Sequence, residues 1–156
     1  MLKRDTFDLR SRLRFKKCFL LGVLLLAAGY SFADEINTTI EINGVTVNGG
    51  LVYVSVYSND NDYKNDKAFT QFILQPENKV LTYSLDLPEG EYVVSVYQDK
   101  NGDGELNTGL FGIPSEHIGK TNYNLKGAPG DFNKLKAPVN STSATLVVNI
   151  GKVKIF

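Results

Sequence analysis

Oxygen-bearing side chains alternate through Asp99-Lys100-Asn101-Gly102-Asp103-Gly104-Glu105-Leu106-Asn107. A hard cation such as calcium takes about six to eight oxygens at about 2.3–2.6 Å. Asp99, Asn101 and Asp103 stand at alternate positions and could converge on one such ion. Gly104 supplies the turn, Glu105 would offer its backbone carbonyl, and Asn107 stands where a direct or water-mediated ligand belongs. The twelfth position, where a bidentate acid closes such a loop, is Leu110. Glu116 or Asp131 would have to fold in as the closing ligand. The alternative is an architectural loop, in which Asp and Asn bond their own backbone while Gly102 and Gly104 take positive φ.

Other side chains with chemical potential are few. His117, the single histidine, follows Glu116 directly, and the pair could serve as base and partner. A hydrolase would have to assemble Glu116, His117 and Asp131. No second His or Cys follows residue 33 to complete a zinc site, and no serine lies in a G-x-S-x-G elbow. Tyr53, Tyr57 and Tyr97 could line a sheet face as a sugar- or peptide-binding platform, or simply cover it as strand composition does. The acidic stretch Asn59–Asp66 reads as a solvated connection.

Strands must position these residues. Val52, Val54 and Val56 alternate with Tyr53, Ser55 and Tyr57; Tyr92, Val94 and Val96 alternate with Val93, Ser95 and Tyr97. Tyr83–Leu87 and Ala144–Ile150 show the same period of two, which buries one face of a strand. Weaker candidates are Asn37–Ile42, Phe69–Leu74 and Lys152–Ile155. No window of a dozen residues carries an apolar stripe at helical spacing. About seven short strands with turns between them predict an all-β fold, an antiparallel β-sandwich. The link Leu87–Glu91 predicts a hairpin or a tight corner, which puts the Asp99 loop on the rim.

From Asp99 to Ser143 the alternation stops, and those residues hold seven of the fourteen glycines. Phe111, Ile113, Ile118, Tyr123, Leu125, Phe132 and Leu135 recur through the stretch. Residues 99–143 therefore read as an ordered loop lobe covering part of the sandwich.

The first 33 residues read as a cleaved signal peptide. Seven basic residues precede an apolar run from Cys18 to Ala28, and Ser31 and Ala33 supply the small residues for cleavage. An apolar run of about eleven residues is too short to span a bilayer, which takes about 20. Cleavage removes every arginine and the one cysteine. It leaves 34–156 as a single domain with ten lysines against fifteen acids, a net charge of −5. Such a surface suits neither a phosphate backbone nor a disulfide framework, so nucleic acid is not an expected partner.

Leu87-Pro88-Glu89-Gly90-Glu91-Tyr92, then Asp99–Gly104, then Phe111-Gly112-Ile113-Pro114 with Glu116, resembles the DUF2141 family of exported bacterial proteins. Gly119-Lys120-Thr121-Asn122 and Gly127–Phe132 continue the likeness, with Thr121 where the family usually has Ser. The resemblance implies a prealbumin-like or carboxypeptidase-regulatory-like sandwich and an exported protein, and no activity. The expectation is a periplasmic or secreted, non-enzymatic binding or accessory module for a protein, peptide or glycan, with calcium possible at the Asp99 loop. It would be a monomer or weak oligomer with no membrane span. The alternatives are the hydrolase of Glu116, His117 and Asp131, and a structural subunit associating through a sheet edge.

Overall fold

A computed structural model describes residues 34–109 and 112–154. The signal segment expected over residues 1–33 lies outside them, as do Leu110 and Phe111. Eight strands and two short helices follow in the order β1 (Glu35–Asn43), β2 (Val52–Tyr57), α1 (Asp60–Lys64), β3 (Thr70–Leu74), β4 (Val80–Pro88), β5 (Gly90–Gln98), β6 (His117–Lys120), α2 (Phe132–Leu135), β7 (Ala137–Val139) and β8 (Thr145–Asn149).

The strands form a sandwich. One sheet has the order β4-β1-β8, the other β3-β2-β5-β6, with β7 also pairing β5. Ile40, Ile42, Leu146 and Val148 of the first sheet meet Val52, Val54, Val56, Val94 and Val96 of the second, all essentially inaccessible. Full burial of each such side chain stabilises the fold by about 1.5–3 kcal/mol. The period-two pattern thus identifies the core face correctly on β2, β5 and β8.

The connection from β4 to β5 is a corner between sheets rather than a hairpin. β4 pairs with β1 in one sheet and β5 with β2 in the other. The Tyr92 hydroxyl donates to the Pro88 carbonyl at 2.8 Å and holds this corner, an arrangement recurrent in β-sandwiches. The two open edges, β3 and β4, are joined by Phe72 and Tyr83, whose rings stack with centroids 4.0 Å apart. On the opposite side, Ile118 and Gly151 exchange backbone bonds at 3.0 and 2.9 Å and tie β6 to the chain beyond β8. A Cβ on Gly119 would lie 2.4 Å from the Asn149 carbonyl oxygen, so only glycine permits this approach.

Three features differ from expectation. β8 runs parallel to β1, whereas every other strand pair is antiparallel. Alternation specifies which face of a strand is buried and says nothing of its direction. Lys152–Ile155 supplies no strand among the described residues, only a bridge from Lys154 to Lys126 of the lobe. Asn59–Asp66 contains a single helical turn, capped by the Asn59 side chain on the Asp62 N–H at 2.9 Å. That asparagine spacing is a capping signal too brief to leave a helical apolar stripe.

Candidate functional site: the Asp99 loop and the lobe cavity

The Asp99 loop begins where β5 is anchored from both sides. Gln98 is fully buried; its amide donates to the carbonyls of Thr46 at 2.7 Å and Gly50 at 3.1 Å. The Asp99 N–H then bonds the Leu51 carbonyl at 2.8 Å. Gly50 has φ +95°, and a Cβ there would fall 1.6 Å from the Asp99 carbonyl oxygen. The entry to β2 and the exit from β5 therefore touch through backbone alone.

Asp99 is 1% exposed, and its two carboxylate oxygens accept the N–H groups of Gly102 at 2.7 Å and Gly104 at 2.8 Å. Both glycines have positive φ, +78° and +79°, which aims those N–H groups inward. Asn101, Asp103 and Asn107 are brought together. Asp103 accepts the side-chain amides of Asn101 at 2.8 Å and Asn107 at 3.0 Å, and the Glu105 N–H at 2.9 Å. These donors, the Glu105 N–H foremost, hold the Asp103 carboxyl below its usual range. Asn101 also donates to the Asn107 side-chain oxygen at 2.7 Å.

Glu116 reaches back to the loop and Asp131 does not. Glu116 is 4% exposed and its carboxylate accepts the N–H groups of Lys100 at 2.8 Å and Asn107 at 3.4 Å. Asp131 instead caps α2, accepting the Lys134 N–H at 3.1 Å, and its charge is felt by Tyr63 and Lys64. Among the described residues no three His, Cys, Asp or Glu side chains are grouped as a metal would require. Asp99 and Asp103 are turned to backbone N–H groups and, for Asp103, to the Asn101 and Asn107 amides. A cation would have to draw on the amide oxygens of Asn101 and Asn107 and on backbone carbonyls as well.

The trio Glu116, His117 and Asp131 does not assemble. His117 follows Glu116 in sequence, but its Nε2 lies 3.3 Å from the Lys100 ammonium. Burial, with Lys100 and Lys152 adding to it, lowers the imidazole pKa. Adjacent residues entering a strand diverge, which separates Glu116 from His117, while α2 carries Asp131 away.

The outer face of the second sheet is built in cross-strand rows. Ile73, Tyr53, Tyr97 and Ile118 occupy one register row; Gln71, Ser55, Ser95 and Lys120 occupy the next. The Tyr53 and Tyr97 rings stack on each other at 4.8 Å and 5°, so each spends one face on its neighbour. Two tyrosines do form a pair here, but they stand as a stack and not as a flat platform. The Tyr97 hydroxyl donates to the Gly104 carbonyl at 2.9 Å, tying the stack to the Asp99 loop. Tyr57 is buried beneath the lobe with its hydroxyl on Asp66; burial first, then that carboxylate, pushes its phenol up to about 12.

The lobe packs over the β5–β6 half of this face. Ile118, Tyr123, Phe132 and Leu135 join Tyr57 and Val93 in a second apolar cluster. Between lobe and β6 a cavity of about 520 Å³ remains, lined chiefly by Leu106, Ile113, Ile118, Tyr123, Pro129 and Val153, with Lys120 in its wall. The Lys120 ammonium donates to the Ser95 hydroxyl at 2.8 Å and sits 4.9 Å above the Tyr63 ring. Burial lowers its pKa to about 8, against a smaller opposing influence from Asp66. Neither the cavity nor Lys120 is evident from sequence reasoning. β6 spans four residues, too few for alternation to register, and the walls come from segments far apart in the chain.

The sequence matches, over residues 40–146, the family described as an uncharacterized protein conserved in bacteria. The chain belongs to the DUF2141 family. Comparison with curated proteins and with solved structures returns no match. The DUF2141 match runs from Ile40 in β1 to Leu146 in β8, so it takes in the Asp99 loop, Glu116, Lys120 and every cavity wall except Val153.

Proposed function

We propose that this DUF2141 protein is an exported, non-enzymatic binding module that takes a small, largely apolar ligand between the lobe and β6. The cavity carries this reading. Its volume of about 520 Å³ lies within the range of small-molecule sites, about 300–1,000 Å³, and its walls are mostly apolar, with Lys120 the single charged side chain among the described residues. The separation of Glu116, His117 and Asp131 supports a binding role over the hydrolase alternative. The self-stacking of Tyr53 and Tyr97 favours a compact ligand in the cavity over a glycan laid across the sheet.

A neutral dye, N-phenyl-1-naphthylamine, tests the site. Its fluorescence should rise with one-site saturation in the parent protein. Ala128→Trp, at an exposed position in the cavity wall, should fill the space and remove the response without altering the melting midpoint. A dye response that survives Ala128→Trp, or none in the parent protein, would rule the cavity out.

A second reading concerns calcium as a brace for one cavity wall. The observation favouring it is Glu116, which folds in beside the loop although the twelfth position offers only Leu110. Turning the Asn101 and Asn107 amides over would present oxygens where N–H groups now face Asp103. Leu106 within the loop and Thr108 directly after it line the cavity, so a braced loop would stiffen the site.

A further inference from the structure

Among the described residues, Lys120 is the only charged side chain in the cavity wall. The ion pairs among the described residues are Lys64 with Asp60 and Lys136 with Glu91; none involves Lys120. Its ammonium has three N–H donors, of which one is spent on the Ser95 hydroxyl. The neighbouring Tyr63 ring offers attraction through its face but no formal charge. Asp66, whose charge acts on Lys120, already accepts the Tyr57 hydroxyl. A half-buried cation with no ion pair among the described residues is costly, and a bound anion would relieve that cost.

Resting on the cavity reading above, we infer that the ligand is an amphiphilic acid, its apolar body among Ile113, Ile118, Pro129 and Val153 and its carboxylate on the Lys120 ammonium. The charge complementarity is specific. Among the described residues of the wall, Lys120 is the one cationic residue, and no acid there competes for it. A neutral ligand of the same body would gain the apolar contacts alone. A cationic one would face like-charge repulsion from Lys120.

Three probes with one apolar body and different headgroups separate these cases: decanoate, decanol and decylamine. Each is titrated against the protein loaded with N-phenyl-1-naphthylamine at pH 7. Decanoate should displace the dye at a concentration at least tenfold below decanol, and decylamine should be the weakest. Lys120→Met keeps an unbranched apolar stem in the wall and removes the charge. It should bring decanoate to the level of decanol or weaker while decanol itself is unchanged, which also confirms that the variant folds. Equal potency of decanoate and decanol in the parent protein overturns the inference, and so does an advantage that persists in Lys120→Met. Should the variant fail to fold, the headgroup series on the parent protein decides by itself. A dye that never binds overturns the cavity reading and this inference together; a dye that binds but ignores headgroup charge overturns this inference alone.

Discussion

The Glu116 carboxylate accepts the Lys100 N–H at 2.8 Å, across sixteen residues of chain. Its second oxygen takes the Asn107 N–H at 3.4 Å, so one buried side chain spans the beginning and end of the Asp99 loop. Tyr97 holds the same loop from the sheet face through the Gly104 carbonyl. The loop is thereby fastened to β5, to the entry of β6 and to the wall of the cavity. Leu106 and Thr108 owe their positions there to these attachments.

Removing the clamp should loosen the loop. Glu116→Ala leaves two N–H groups without their acceptor, and an unsatisfied buried donor costs about 1–3 kcal/mol. Glu116→Gln keeps one carbonyl oxygen for the closer N–H and should lose less. Urea denaturation of the three proteins measures the order, with parent most stable, Gln intermediate and Ala least. Equal midpoints for Ala and parent would mean that the loop is held by Asp99 and Tyr97 alone.

Calcium, if it braces the loop, should raise the melting midpoint, with the rise reversed by chelator. Binding to the folded state alone adds about 2.7 kcal/mol at a hundredfold excess over Kd. Asp103→Asn and Asn107→Ala should each weaken the response, since both side chains stand at the centre of the loop's hydrogen bonds. An unchanged midpoint at millimolar calcium would leave the loop as architecture supported by Asx turns and by Glu116.

The half-buried ammonium of Lys120 makes stability depend on pH in a defined direction. Its folded pKa is lowered from 10.5 to about 8, chiefly by burial, with Asp66 opposing and Tyr63 and Ser95 as its uncharged neighbours. Between those values the unfolded chain binds more protons than the folded one, so stability rises with pH from about 8 toward 10. Above about 10 the raised phenols of Tyr57 and Tyr97 act in the opposite sense, because the unfolded tyrosines ionise first. Chemical denaturation of parent and Lys120→Met across pH 7 to 10 isolates the lysine contribution. The difference between them should narrow as pH rises; a constant difference would show that Lys120 titrates normally.

The core was legible in the chain because a buried strand face repeats every second residue. Val52, Val54 and Val56, with Val94 and Val96, declare their side without reference to anything distant. The Asp99 turn was legible for a similar reason, since Asx turns and positive-φ glycines are satisfied by neighbours a few residues away. The role of Glu116 was visible only as a question, and the choice between it and Asp131 depended on where β6 and α2 carry them. The parallel pairing of β1 with β8 was hidden, because a strand pattern has no polarity.

What the sequence by itself determined is therefore local: the sandwich class, the faces of its main strands, the family, and a loop shaped by its own Asp, Asn and Gly residues. What the tertiary structure decided is everything that depends on separation in sequence being erased. The corner at Tyr92 sends β5 to the second sheet, and the lobe folds back over β6. Leu106, Lys120, Pro129 and Val153 thereby meet around one space although they span 48 positions of the chain. Periodicity reports burial within an element; a cavity exists only between elements, where packing rather than pattern sets who faces whom.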